Sequence, residues 1–246
     1  MYSIVSGFLL YALTAIRALP FTQDSADEQK NNFSPIHLFI ARGTTEPPGD
    51  GMMHSLAQRI IADLGSERAD REAIDYPATG LGEYTAYMDS VRKGSEAIAL
   101  QVTNYASRCP TSKLVLLGYS QCAQIIGDAL CGTELTSASL GGSASDPSEG
   151  PTSTSDTSII LIYLLVSAIV LYGDPSFRTG EPYDKGTSTS SGSRPPGSCQ
   201  FYAPLIRSYY DTKDAFCASG QSDIVHTGYF IRYNSDAANF VNSLVT

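Results

Sequence analysis

The chain has 246 residues, with 16 Lys and Arg against 25 Asp and Glu, a formal charge of −9. Its 42% hydrophobic and 17% charged residues make an ordinary globular composition and exclude a chain disordered throughout. The acidic balance argues against a nucleic-acid partner, because neutralising phosphates takes clustered Lys and Arg, and no run reaches the ~18 apolar residues needed to span a bilayer.

Ile4–Ala15 is an apolar stretch followed by Arg17, Ala18 and Leu19. This is the length of a signal-peptide core with small residues near its end, so residues 1–18 read as a signal peptide, although no Lys or Arg precedes the core. A buried N-terminal helix is the alternative. Residues 19–34 are polar and unpatterned and read as a propeptide or loose arm. They contain the sequon Asn32-Phe33-Ser34, followed directly by Pro35. The folded domain is placed at 35–246. Export makes Cys109, Cys122, Cys131, Cys199 and Cys217 candidates for disulfides, and an odd number leaves at least one thiol free or paired between chains. No CxxC or Cys/His cluster exists and the three histidines are far apart in sequence, which argues against a zinc site.

Ile36–Ala41 (IHLFIA) reads as a buried strand stopping at Arg42-Gly43. Met53, Leu56, Ile60 and Leu64 form one apolar helical face, and Ala73–Tyr76 is a second strand. Residues 84–107 form a long amphipathic helix through Met88, Val91, Ser95, Ile98, Val102 and Tyr105, with Ser95 its weak position. Leu114–Leu117 is a wholly apolar third strand, as a central parallel strand should be. A helix over Ala123–Leu130, a strand over Ser167–Tyr172 and a helix over Asp236–Leu244 complete the series. The alternation predicts an α/β fold with a mainly parallel sheet and helices on both faces. Ligands of such sheets bind beyond the strands' carboxyl ends, where Arg42-Gly43, Gly118-Tyr119-Ser120 and Gly173-Asp174 lie. Residues 134–158, rich in Ser, Thr and Gly, read as a surface excursion. Ile159–Leu165 has no account beyond preceding the fourth strand, so 134–165 is left as an irregular segment.

Gly118-Tyr119-Ser120-Gln121-Cys122 lies between an apolar strand and a helix, the context of a nucleophile elbow, G-x-S-x-G. A strained turn there lifts the serine hydroxyl out of the sheet, and the following helix aims its free N–H groups at developing negative charge. Cys122 stands where the second Gly belongs. A buried Ser in an ordinary turn is the structural alternative. Of the histidines, His37 starts a strand and His54 lies on a helix. His226, in a loop late in the chain, suits the order nucleophile, acid, histidine and is the candidate base. The acid is open on pattern alone: Asp174 follows the fourth strand, while Asp211, Asp214 and Asp223 lie on the approach to His226.

Residues 36–132 and 167–246 resemble the cutinase-like carbohydrate esterases, a family holding cutinases and acetylxylan esterases. The resemblance is carried by Ala41-Arg42-Gly43-Thr44-Thr45-Glu46, Tyr76-Pro77-Ala78, Gly118-Tyr119-Ser120-Gln121 and Tyr172-Gly173-Asp174-Pro175. Gly186-Thr187-Ser188-Thr189, Asp214-Ala215-Phe216-Cys217 and Val225-His226 continue it in order. It implies a three-layer α/β/α sandwich without the large lid of lipases, with Ser120 as nucleophile, His226 as base and Asp214 as the orienting acid. Asp174 is then left to a structural turn, and Thr44 and Gln121 form the oxyanion hole. It implies an esterase with plant cell-wall polysaccharide or polyester as partner. Together with the signal peptide, the charge and the hydropathy, the expectation is a secreted monomer needing no cofactor or metal, with neither nucleic acid nor membrane as partner. The chain departs from the family pattern at Tyr210, where relatives carry a Cys whose disulfide braces the Asp214 loop. It departs again before the first strand, where relatives carry a partner for Cys109, and at Cys122. The GTST segment, Arg194-Pro195-Pro196 and Arg207–Asp211 look closer to acetylxylan esterases than to cutinases, so acetylxylan is the expected substrate and cutin the alternative. A non-enzymatic cell-wall-binding relative is the reading of a different class.

Overall fold

The computed structural model describes residues 33–132, 162, 164–216 and 220–246. The expected signal peptide and nearly all of the arm, the segment 134–158 and Cys217 lie outside the described residues.

The strands are β1 (Ile36–Ala41), β2 (Ala69–Ala73), β3 (Lys113–Tyr119), β4 (Val166–Tyr172), β5 (Asp184–Lys185) and β6 (Ile206–Tyr209). The helices are α1 (His54–Leu64), α2 (Tyr84–Arg108), α3 (Gln121–Cys131), α4 (Asp223–Thr227) and α5 (Tyr229–Val245). Among the described residues the strands form one sheet in the order β2-β1-β3-β4-β6-β5, every neighbouring pair parallel. Successive side chains of a strand leave on opposite faces. Phe39, Leu114, Leu116, Ile169 and Leu171 accordingly pack on one side against Val91, Ile98 and Val102 of α2 and Ile125 and Ile126 of α3. Leu38, Ile40, Val115, Leu117 and Val170 pack on the other side against Leu56 and Ile60 of α1 and Ala237 and Val241 of α5. The result is the expected three-layer sandwich.

From β1 the chain winds outward to β2, then crosses back to β3 on the other side of β1. The loops after β1 and β3 therefore diverge and leave a crevice beyond the strand ends, the usual ligand position in such sheets. Ala41 pairs with Gly118 and Tyr119 with Tyr172, so the three Gly-containing loops emerge side by side.

Several expectations shift. The second strand is Ala69–Ala73 rather than 73–76. It is an edge strand paired only with β1, so its middle carries Asp70, Arg71 and Glu72, half-buried, while Ile74 and Tyr76 dive into the core after the strand has ended. Strands β5 and β6 were not expected. The last helix begins at Tyr229, seven residues earlier than Asp236. Ser95 is no flaw in α2: its hydroxyl donates to the Ile125 carbonyl at 3.2 Å, and a Cβ on neighbouring Gly94 would lie 2.6 Å from Ile125. Small residues let α2 and α3 cross closely. Cys131 and Cys199 form a disulfide tying the end of α3 to the loop before β6, whereas Cys109 and Cys122 are free and buried.

Candidate active site

Ser120 follows the apolar strand β3 directly and precedes α3 with φ 58° and ψ −125°, a conformation L residues rarely adopt. The turn is held because the Ser120 N–H donates to the Tyr172 carbonyl at 2.8 Å and its carbonyl accepts the Gln124 N–H at 3.2 Å. Gly118 is obligatory here: a Cβ would lie 2.7 Å from Ile126 and 2.9 Å from the Ala123 nitrogen. The second elbow position tolerates a side chain. The Cys122 thiol donates to the Arg42 carbonyl and lies 3.0 Å from the Tyr76 hydroxyl. Burial, above all, raises this thiol's pKa well beyond the ordinary range, so it is a packed, protonated group.

His226 lies on α4, a short helix capped by the Ser222 side chain. Its Nε2 is 3.0 Å from the Ser120 hydroxyl and its Nδ1 2.8 Å from Asp214 Oδ2. Gly173 makes room for the ring, since a Cβ there would lie 3.0 Å from it. Tyr119 and Phe216 flank the ring at centroid distances of 5.0 and 4.6 Å. Asp214 is fully buried. Burial alone would raise its pKa, but the bond from His226, the Tyr229 hydroxyl at 2.7 Å and the Phe216 N–H at 2.9 Å hold it below the usual carboxylate value.

The four aspartates left open by the pattern differ in what each carboxylate touches, and of them Asp214 is the one bonded to His226. Asp174 accepts the Ser176 N–H and pairs with buried Arg194, which also holds Asp128, so it is a structural group. Asp211 is engaged by Arg232 at 2.6 Å and by the Tyr233 hydroxyl at 2.8 Å. Asp223 is exposed on α4. The other histidines lie in other settings: His37 is buried, bonded to Asp70 at 2.6 Å and stacked on Tyr105, and His54 is exposed beside Asp50.

The loop after β1 carries Thr44 into the same cavity as Ser120 and His226. It is clamped from three directions. Arg42 donates to the Glu46 and Tyr76 carbonyls, Tyr76 returns its hydroxyl proton to the Arg42 carbonyl at 2.7 Å, and Glu46 accepts the Gly43 and Met52 N–H groups. Gln121 heads α3, so its backbone N–H has no carbonyl of its own helix to bond. Its side chain is turned away, donating to the Thr79 carbonyl at 3.1 Å. The cavity measures about 540 Å³ and is lined chiefly by apolar and aromatic groups, among them Leu81, Tyr84, Tyr87, Tyr119 and Phe216. Sequence reasoning missed these and missed Tyr229. The spacing of Phe216 from Asp214 and of Tyr229 from His226 was the available signal. Among the described residues no cluster could hold a metal ion, and no helix is long and apolar enough to cross a membrane.

A parallel α/β sandwich with a strained serine facing a histidine and a buried aspartate at its switch point is the architecture of a serine esterase of the α/β-hydrolase type. A family model described as Cutinase matches residues 33–245, and the chain belongs to the cutinase family of carboxylic ester hydrolases. It is 37% identical over 221 residues to acetylxylan esterase 2 of Talaromyces purpureogenus, covering 87% of this chain and 88% of that one. It is 36% identical to cutinase 11 of Verticillium dahliae, covering 87% and 70%. The solved catalytic core domain of acetyl xylan esterase from Trichoderma reesei superposes with a TM-score of 0.68 at 35% identity, covering 86% of this chain and 98% of that one.

Proposed function

We propose that this esterase is secreted, through a signal peptide at residues 1–18, and removes acetyl groups from xylan by way of an acyl-enzyme on Ser120. The observation that carries the mechanism is the unbroken hydrogen-bonded line from Asp214 through His226 to Ser120. His226 keeps its Nδ1 proton on Asp214, which leaves Nε2 to take the serine proton as the oxygen attacks the ester carbonyl. The oxyanion sits between Thr44 and the Gln121 N–H at the positive end of α3. Collapse expels the sugar hydroxyl, protonated by His226. Water, deprotonated by the same imidazole, then releases acetate and restores Ser120. Asp214 fixes the imidazole's tautomer and stabilises its charged form.

The similarity to acetylxylan esterase 2 and to the acetyl xylan esterase core domain supports the acetyl reading, as do Arg194-Pro195-Pro196 and Arg207–Asp211 in the sequence. Cutin is the second reading. The similarity to cutinase 11 and the apolar cavity, with Leu81, Tyr84 and Phe216 exposed in its lining, favour it. Ser120→Ala should abolish hydrolysis of p-nitrophenyl acetate and labelling by a fluorophosphonate; wild-type activity in that variant would sink the mechanism. A folded wild type that resists the probe would support the binding module instead. Rates of acetate release from acetylated xylan, set against butyrate and C16 hydroxy-acid release, separate the two substrates.

A further inference from the structure

Asp214 Oδ2 receives two hydrogen bonds, from His226 Nδ1 at 2.8 Å and from the Tyr229 hydroxyl at 2.7 Å. An ionised carboxylate only accepts, so the phenol proton points at Asp214. The same phenol oxygen accepts the Asp211 N–H at 3.0 Å. One buried side chain at the start of α5 thus holds both ends of the Asp211–Asp214 turn. Its ring stacks on Tyr172 at 5.9 Å and on Tyr233 at 6.1 Å, which fixes the hydroxyl's aim. The disulfide expected to brace this loop has no counterpart at Tyr210, whose ring instead stacks on Phe177 at 4.0 Å.

We propose that Tyr229 is a positioning residue for ester hydrolysis, sharing one oxygen of Asp214 with His226 and so setting both the carboxylate's aim and the charge the imidazole feels. This rests on the Ser120–His226–Asp214 mechanism above. Other titratable and charged groups around the pair are Tyr119 from β3, Tyr172 from β4, Asp223 on α4 and the Asp211–Arg232 ion pair. None of them is altered by the test.

The experiment is the pH profile of kcat and KM on p-nitrophenyl acetate for wild type, Tyr229→Phe, Ser120→Ala and a full-length chain carrying 3-fluorotyrosine at position 229. Phenylalanine leaves the whole Asp214 charge to the imidazolium, so the acidic limb moves to higher pH, and kcat falls about tenfold with KM unchanged. Fluorotyrosine is nearly isosteric, keeps the turn bridged and is a stronger donor. Its acidic limb moves the opposite way, to lower pH, which gives a readout even if Tyr229→Phe does not fold. A limb that stays put in the fluorotyrosine protein, or in a folded Tyr229→Phe, overturns the proposal and leaves Tyr229 a purely structural residue. Undiminished activity of Ser120→Ala would instead overturn the mechanism beneath it, so the two failures are distinguishable.

Discussion

Gly173 shows how little space the site has to spare. Its φ of 59° is a conformation that costs an L residue roughly 1–2 kcal/mol, and its missing Cβ leaves room for the His226 ring. Gly173→Ala should therefore lose both stability and rate, with kcat falling tenfold or more and KM little changed. Gly180 is the control: its φ is also positive, at 90°, but nothing lies within 4 Å of a Cβ there. Gly180→Ala should lower the melting temperature and leave kcat alone. Equal kcat losses in the two variants would show that backbone strain, not contact with the imidazole, is what matters. At this scale the local pattern singled out Ser120 and His226, because a strand-to-helix turn constrains its own neighbours and few histidines competed. It left the aspartate open, and only the family resemblance pointed to Asp214. What separates Asp174 from Asp214 is Arg194, twenty residues beyond Asp174 and packed against it, and nothing local to either carboxylate records that contact. Cys122 is the departure that the structure accommodates. The motif asks for glycine, but the side chain points into a space bounded by the Arg42 carbonyl and Tyr76, not into the backbone contact that Gly118 serves.

Among the elements, the β1 loop is the one that must hold still if Thr44, which lines the cavity beside Ser120, serves the proposed oxyanion role. Thr45 and Ala78 both adopt positive φ, 61° and 54°, and are joined by a hydrogen bond of 2.8 Å, so the loop is held against its own preference by the segment after β2. Tyr76 supplies the tie through its hydroxyl on the Arg42 carbonyl and its own carbonyl on the Arg42 guanidinium. Tyr76→Phe keeps the packing and the second bond but removes the first. The expected result is a loss of about 1 kcal/mol in stability, by urea denaturation, with a several-fold drop in kcat. An unchanged kcat would show that Thr44 needs no such support. The strands that sequence reasoning misplaced share one cause. A continuous apolar run reports burial on two faces, and β2, β5 and β6 lack it: β2 and β5 are edges, and β6 pairs over only four residues. The central strands, buried on both faces, were read correctly because pattern and burial coincide there.

Over the whole molecule, buried carboxylates set the response to pH. Arg194 lies between Asp128 at 3.1 Å and Asp174 at 2.9 Å, all three nearly inaccessible, so with both acids ionised this cluster carries a net charge of one negative unit. Burial pushes Asp128 up to about 7 against the pull of Arg194, with Asp174 adding to the rise; burial also pushes Asp184 up to about 6. Both folded values stand above the 3.8 of the unfolded chain, so between about pH 4 and 7 the native state binds protons that the unfolded state does not. Stability therefore rises as the pH falls through that window. Asp214 has the opposite sign. Its folded value lies below 3.8, so it contributes stability above that pH, and the contribution is lost as the pH falls further. The net charge of −9 at neutral pH adds self-repulsion that acidification relieves. Calorimetry from pH 3 to 8 should place the highest melting temperature between about pH 4 and 6, with a decline on either side. Asp128→Asn keeps an acceptor for Arg194 without the charge, so it should flatten the decline toward neutral pH and leave the acid side as it was. A wild type whose melting temperature does not change between pH 5 and 8 would show that burial does not raise Asp128 and Asp184 out of the ordinary carboxylate range.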